Sequence, residues 1–510
     1  MDVTRIRVQI FGTPLKDTYC TTFGGVGSGK GVSFFRNSIH NLISAVEARV
    51  FKRKIGQEWS YVDETPHAVG IYLQDETFTH ALKANVRTAA PMTDDQFIQN
   101  YRGRRRRVYE SARQSLRQND LKRSDADCKC FLKKEKDIPI DKPEAIPRVI
   151  TFPDPRFGMC FGKYVKSIEH KLFQAIDETF GQEVVMKGKN YETLGQIIYD
   201  KWNKFQDPCS IDCDVSRLDS CISNEAQQFY HKLTSFFFDG HDREDYKILC
   251  EMQLDVKVRG RATDGTIEYK SSGLGSGQMN TSQMGVFVVC FVLYKMFERY
   301  DLNLELINCG DDFTVIGERY EVERYSTLCQ AWFQQYNLTL KMEGLNEIIE
   351  GINFCQTNPV RVNGSYRMVR NPLTALIKDS TSIDNLTNAS LKAQYLHAIS
   401  CTGIATHGGI PIFQESYAMY GRYAQEYRKY ITSKRGLKRS MRTTLKDSSM
   451  LYWGKGLACR YQEISDETRY SFYLAFGLDI VSQKHIEKYY STVELHTTPA
   501  HEHIGDRQLW

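Results

Sequence analysis

The stretch Glu305-Leu-Ile-Asn-Cys-Gly-Asp-Asp-Phe-Thr-Val-Ile316 constrains this chain more than any other. Apolar and β-branched residues flank a Gly-Asp turn, the pattern of a β-hairpin, and Gly310 can take the positive φ that such a turn needs. A hairpin would hold Asp311 and Asp312 at its exposed tip, on a stiff ribbon instead of a mobile loop. Adjacent carboxylates repel, and divalent cations would offset that cost. Hard oxygen ligands of this kind suit Mg²⁺, with Mn²⁺ as a substitute. An acidic turn in water would look the same from this stretch alone, so the remainder of the chain has to decide.

A chain of 510 residues can bury a large core and should divide into two to four subdomains. Its net charge of +5 is unevenly placed. Between residues 102 and 123 nine Arg or Lys face only Glu110 and Asp120, a local excess that predicts a polyanionic partner. Fourteen scattered cysteines read as reduced thiols, and neither Cys128 with Cys130 nor Cys209 with Cys213 has the second pair that a zinc site requires. The N-terminus has no signal-peptide pattern, and the longest apolar run, Met284 to Tyr294, falls short of the roughly 20 residues that span a bilayer. The expectation is a chain that does not anchor itself.

Upstream, Gly24, Gly29 and Lys30 nearly spell a phosphate-cradling loop, but Gly31 stands where Ser or Thr should ligate a metal, so a glycine turn is expected. Helical spacing of Ile39, Leu42, Ile43, Val46 and Val50 predicts a helix within 37–51. The cluster Arg104, Arg105, Arg106 and Arg107 suits phosphate contacts, although a solvated helix face reads alike. In 142–156 four prolines stiffen the path from which Arg148 and Arg156 project, an arrangement suited to triphosphate oxygens.

Residues Ile211 to Ser223 begin as a strand and set Asp214 and Asp219 five apart, so that Asp214 could meet Asp311 across neighbouring strands. Glycines and small hydroxyls from Ser271 to Ser282 then run straight into an apolar helix, giving a loop that can approach a backbone or a ribose closely.

Taken in order, these residues resemble the palm motifs of viral RNA-dependent RNA polymerases, in particular tombusvirus-like enzymes of positive-strand RNA viruses. The resemblance rests on Asp214-Val-Ser-Arg-Leu-Asp219, Ser276-Gly-Gln-Met-Asn-Thr281, Asn308-Cys-Gly-Asp-Asp312, Phe354-Cys-Gln-Thr-Asn-Pro-Val360 and Met368-Val-Arg-Asn-Pro372, with Pro147 to Glu169 similar to an arginine-bearing fingers motif. It is dense from about residue 147 to 380, and the last 130 residues carry no matching motif. It implies an α+β, right-handed fingers, palm and thumb fold with an antiparallel palm sheet carrying the catalytic aspartates. The expected division is 1–204 for an N-terminal extension and fingers, 205–365 for the palm with a fingers insertion at about 232–262, and 366–510 for the thumb and tail.

The implied activity is synthesis of RNA on an RNA template from nucleoside triphosphates. Asp214, Asp311 and Asp312 are expected to hold the metal, and Lys341 to protonate pyrophosphate. Arg148, Arg156, Asp219, Ser276, Asn280 and Thr281 are expected at the nucleotide; Gly277, Arg367, Arg370 and Arg104 to Arg107 at the RNA. Two departures stand out. Gly285 occupies the place of the Asn that partners Asp219 in choosing ribose, leaving Asn280 or Ser276 for that role, and Phe152-Pro153 occupies the place of a further basic residue. The resemblance also implies work in the host cytoplasm, at membranes reached through a membrane-anchored companion protein. Two other readings compete: a non-catalytic RNA-binding factor, from the basic stretches, and a nucleotide triphosphatase, from Gly24 to Lys30. Basic and tyrosine residues interleaved over Arg422 to Arg442 suit either RNA stacking or an ordinary helix, and Glu502 among His496, His501 and His503 reads as a polar tail.

Overall fold

Glu305–Asn308 and Asp312–Glu318 pair as the two arms of the expected hairpin in a computed structural model of the chain, with Asn308 opposite Phe313 and Glu305 opposite Ile316. Gly310 turns the corner at φ 108°. The structure describes residues 5–15, 20–24, 31–55, 58–61, 70–138, 145–426, 454–495, 497–500 and 503–504. The segment from 25 to Lys30, most of Arg422 to Arg442, and His496, His501 and Glu502 lie outside the described residues.

Pro208–Val215 adds to the second hairpin arm and Leu340–Asn346 adds to Pro208–Val215, which completes a four-stranded antiparallel sheet. Side chains alternate across a strand, so the two faces differ in chemistry. Cys213 and Phe313 face the helix Arg319–Gln335, where Phe313 stacks on Phe333 at 5.8 Å and Cys213 lies 3.9 Å from the Tyr325 hydroxyl. Asp212, Asp214, Asp312 and Thr314 share the opposite face. The helix Thr281–Tyr300 is buried without a break from Gln283 to Leu293, as a helix apolar on all sides must be, and it runs through the main core.

A second sheet of five strands gathers distant pieces, in the order Arg7–Ile10, Gly265–Ser271, Val256–Arg261, Cys128–Leu132, Val149–Pro153. The inserted segment expected to end near 262 therefore continues in this sheet to Ser271. The helix predicted within 37–51 spans Ile39–Val46, capped by the Ser38 hydroxyl, and ends in one wider turn, Glu47–Phe51. The basic stretch is a helix, Gly103–Gln118, whose Arg104 to Arg107 are all exposed.

The hairpin Thr357–Val362 with Ser365–Arg370 puts Val360, Val362 and Val369 into a second core, shared with the helices Ala389–His407, Phe413–Glu426, Asp466–Phe476 and Ile480–Thr492. A boundary between 365 and 366 would cut this hairpin in two, so it is not a natural seam. The N-terminal segment joins both bodies: Arg7–Ile10 lies in the five-stranded sheet, whereas Cys20–Phe23 pairs with Thr381–Ser382 and Thr497–Ala500. Phe23 stacks on Tyr395 at 5.5 Å inside the second core.

Candidate active site

The ladder register sets Asp312 directly opposite Asp214 on one face of the four-stranded sheet, and Lys341 opposite Asp214 from its other side. Side chains so placed have Cβ atoms about 5 Å apart. Asp311 is one residue into the turn, exposed, and its carbonyl accepts from the Val215 amide at 2.9 Å. Asp312, not Asp311, is therefore the direct cross-strand neighbour of Asp214, because the turn takes up Gly310 and Asp311. Asn308 braces this turn from within, accepting from the Gly310 amide at 3.1 Å and donating to the Gly310 carbonyl at 3.0 Å.

Electrostatics mark the same place. Burial, with Asp311 and Asp214 nearby, pushes the Asp312 carboxyl up to about 7. The Asp219 carboxyl also rises to about 7, through burial first and Asp311 second, and Arg148 and Lys187 pull it back. Asp219 sits in the short helical turn Leu218–Cys221, and its carbonyl accepts from the Leu274 amide at 3.2 Å, which joins this turn to the glycine loop. One stride below the tip, Asp212 is buried and accepts from Thr314 at 2.6 Å, Asn346 at 2.9 Å and the Asn353 amide at 2.7 Å. That carboxylate knits three segments under the site.

Arg148 immediately precedes the strand Val149–Pro153. Its backbone is fixed by a bond from the Lys133 amide to its carbonyl, and Arg49 holds the Pro147 and Ile146 carbonyls at 2.8 and 2.7 Å. The guanidinium is half exposed and 3.3 Å from Glu135. Ser276 and Gly277 dock the glycine loop on the neighbouring strand: the Ser276 hydroxyl donates to the Val149 carbonyl at 3.0 Å, and the Gly277 amide to the Thr151 carbonyl at 2.7 Å. A Cβ on Gly277 would come within 2.8 Å of that carbonyl oxygen, so only glycine fits. Thr281 turns its hydroxyl back to the Gly275 carbonyl at 2.7 Å at the start of the long helix.

Four expected contacts are placed elsewhere. Arg156 spends its guanidinium on Asp125, Ser115 and the Asn119 and Asp120 carbonyls, at 2.6 to 3.1 Å, and so clamps the end of the basic helix instead of facing a triphosphate. Asn280 is wholly buried and exchanges amide hydrogen bonds with Gln253 at 2.7 and 3.0 Å. Arg370 is buried against Asp379 at 2.6 Å and the Tyr417 hydroxyl at 2.5 Å. Arg367 is committed to Glu192 and the Gly408 carbonyl. Gly285 faces the turn itself: a Cβ there would stand 3.3 Å from Leu218 and 4.0 Å from the Gly310 Cα. A longer side chain at 285 would press on the acidic tip.

Arg104 and Arg107 line a cleft of about 560 Å³ with Ser111, Ser115 and Asp154, and Arg106 pairs with Glu110 at 2.8 Å. Lys187 went unnoticed in the sequence. It is half-buried beside Gly310 and Cys309, and the only sequence signal for it is turn chemistry, a Lys-Gly-Lys run after the apolar Val184-Val185-Met186. Among the described residues no three His, Cys, Asp or Glu side chains converge as a closed metal site, and no helix is long and apolar enough to cross a membrane.

Comparison with known proteins agrees with this geometry. The profile of a family described as viral RNA dependent RNA polymerase matches residues 9–498. The chain is 32% identical over 491 residues to the RNA-directed RNA polymerase of tobacco necrosis virus (strain A), covering 95% of this chain and 65% of that protein. It is 30% identical to that of oat chlorotic stunt virus (isolate United Kingdom), covering 99% and 68%, and 30% identical to that of turnip crinkle virus, covering 95% and 62%. The chain thus spans about two thirds of the length of these relatives. A match that runs through nearly every residue, and includes both strands of the acidic tip, makes this chain a member of the viral RNA-dependent RNA polymerase family.

Proposed function

We propose that this chain is an RNA-directed RNA polymerase which extends RNA on an RNA template from nucleoside triphosphates. The observation that carries the reading is the pairing of Asp214 with Asp312 beside Asp311, with Asp219 and Arg148 within electrostatic reach. The sheet that bears these residues acts as palm, the five-stranded sheet with its helices as fingers, and the second core as thumb.

Mg²⁺, or Mn²⁺ in its place, fits this donor set: Asp214, Asp311 and Asp312 are hard oxygen ligands, and burial first, with the Asp311 and Asp214 charges after it, raises the Asp312 pKa. Bound there, the cation supplies charge neutralisation and activation of the attacking hydroxyl. The protein's own part is positioning. Arg148 meets the triphosphate, and Asp219 accepts a hydrogen bond from the ribose. The strand's 3′-oxygen displaces pyrophosphate in line at the α-phosphorus, and Lys341, across the ladder from Asp214, donates the proton that the leaving pyrophosphate takes up. We also propose that it works in the host cytoplasm at membranes, reached through a companion protein.

Template-directed incorporation tests the reading. On a homopolymeric RNA template with Mg²⁺, only the complementary ribonucleotide is expected to enter product, and chelation should stop it. Incorporation that ignores the template base would refute the proposal. Offering the matching deoxynucleotide in parallel reads how well Asp219 selects ribose with glycine at 285.

The raised carboxyls also set a pH dependence. Asp312 and Asp219 rise from the ordinary carboxylate value of 3.8 to about 7, so the folded, metal-free chain binds more protons than the unfolded one between these values. Their contribution to stability is complete below about pH 4 and is lost as pH rises through 7. A cation must displace the Asp312 proton, so apparent Mg²⁺ affinity should rise up to about tenfold per pH unit below 7 and level off above it. Titration by calorimetry from pH 6 to 8.5 checks this; a flat profile would contradict it.

A further inference from the structure

Nucleotidyl transfer brings two phosphate-bearing reactants to one pair of carboxylates, the incoming triphosphate and the strand end whose hydroxyl attacks. Arg367 and Arg370, expected at the RNA, are each held in an ion pair, with Glu192 and with Asp379. The fold brings a different cation to the turn. The segment Val184 to Met186 runs along the open edge of the first hairpin arm: the Asn308 amide donates to the Val184 carbonyl at 2.7 Å and the Met186 amide to the Asn308 carbonyl at 2.9 Å. Asp177 fixes the start of this segment by accepting from the Val184 and Val185 amides at 2.8 and 2.9 Å. Gly188, at φ 88°, turns the chain away immediately afterwards. Lys187 is therefore delivered to the acidic tip by backbone pairing, and its Nζ lies 4.0 Å from where a Cβ on Gly310 would stand.

The surroundings of Lys187 identify the reactant. Its ammonium hydrogen-bonds the Cys309 thiol and also acts on Cys355, which leads into the hairpin Thr357–Arg370. Arg148, just before the strand Val149–Pro153 of the five-stranded sheet, and Lys187, at the edge of the four-stranded one and acting on Cys355, both draw the Asp219 carboxyl down. Building on the polymerase reading, we propose that Lys187 binds the phosphate of the nucleotide that supplies the attacking 3′-hydroxyl, whether that nucleotide ends an annealed primer or is the first triphosphate of a new strand.

Single-nucleotide incorporation by the full chain tests this, with Lys187→Ala and Lys187→Arg beside the wild type. One arm starts from an annealed RNA primer, the other from template and initiating triphosphate alone. Loss of the Lys187 charge should raise KM for the strand-end reactant about tenfold, the size of one charge-assisted phosphate contact, and leave KM for the incoming nucleotide nearly unchanged. Lys187→Arg should recover most of the loss, and the arm in which the effect appears names the source of the phosphate. A rise shared equally by both KM values, no rise in either, or an arginine variant no better than alanine would overturn the proposal. Should Lys187→Ala be inactive, anisotropy of a labelled primer–template decides instead, weaker binding supporting the proposal and unchanged binding refuting it. A wild type that incorporates nothing removes the polymerase reading and this proposal together; an active wild type with unaltered Lys187→Ala constants removes this proposal alone.

Discussion

Asp311→Asn and Asp214→Asn are each expected to cut nucleotide incorporation by at least about 10³-fold, because each removes a charge that the site holds against repulsion and about 4 kcal/mol of barrier corresponds to that factor. Asparagine is the informative choice, since it keeps the shape of the side chain while withdrawing the charge. The backbone bond from Val215 to the Asp311 carbonyl and the ladder from Asp312 to Asp214 do not depend on either carboxylate. Folding should consequently survive: far-ultraviolet circular dichroism should match the wild type, and thermal unfolding should come no lower, because a repelling charge is gone. Template binding should survive as well, which separates catalysis from the competing view of the chain as a passive RNA-binding factor. If either variant keeps more than about a tenth of wild-type incorporation, the acidic tip is not where the chemistry happens.

Arg370→Met is expected to act on stability and not on RNA affinity. The guanidinium is buried, pairs with Asp379 at 2.6 Å, and shares the Tyr417 hydroxyl with it. Asp379 is 1% exposed, so removing the arginine strands a carboxylate away from water. Breaking such a pair from one side costs about 3 to 5 kcal/mol, whereas replacing both partners with apolar residues of similar volume is often neutral. Denaturant unfolding should show that loss in Arg370→Met and its recovery in Arg370→Met with Asp379→Leu. Wild-type stability together with a raised KM for the primer would restore Arg370 to the RNA.

These two outcomes bear on what the sequence could disclose. The hairpin, the strand Pro208–Val215 and the helix Thr281–Tyr300 follow from local rules, a glycine turn between β-branched arms and an unbroken apolar run, and each formed where expected. The approach of Asp214 to the acidic turn was legible too, because strand pairing leaves few alternatives once both strands are identified. The cations were harder. Whether an arginine meets a phosphate or a buried carboxylate depends on what the rest of the fold sets beside it. Arg156 and Asp125, or Arg370 and Asp379, become partners only through tertiary packing. Asn280 deceived in the same way: a polar residue in a glycine loop suggests a ligand contact, yet its partner is Gln253 on a helix packed behind it. Lys187 escaped because its position follows from backbone pairing between Val184–Met186 and Asn308, far apart in sequence and without side-chain pattern.

The strand Cys20–Phe23 also bears on how the chain is made. Thr22 and its neighbour Thr381 are 359 residues apart, and the strand's other partner, Thr497–Ala500, is later still. At about 5 to 20 residues per second of synthesis, this strand leaves the ribosome roughly 20 to 70 s before its first partner exists. Over that interval its edges stay open and Phe23 has no Tyr395 to stack upon. The early sheet and the acidic hairpin can assemble while translation proceeds, but the stitch between the two bodies closes only after the strand Thr497–Ala500 has been made.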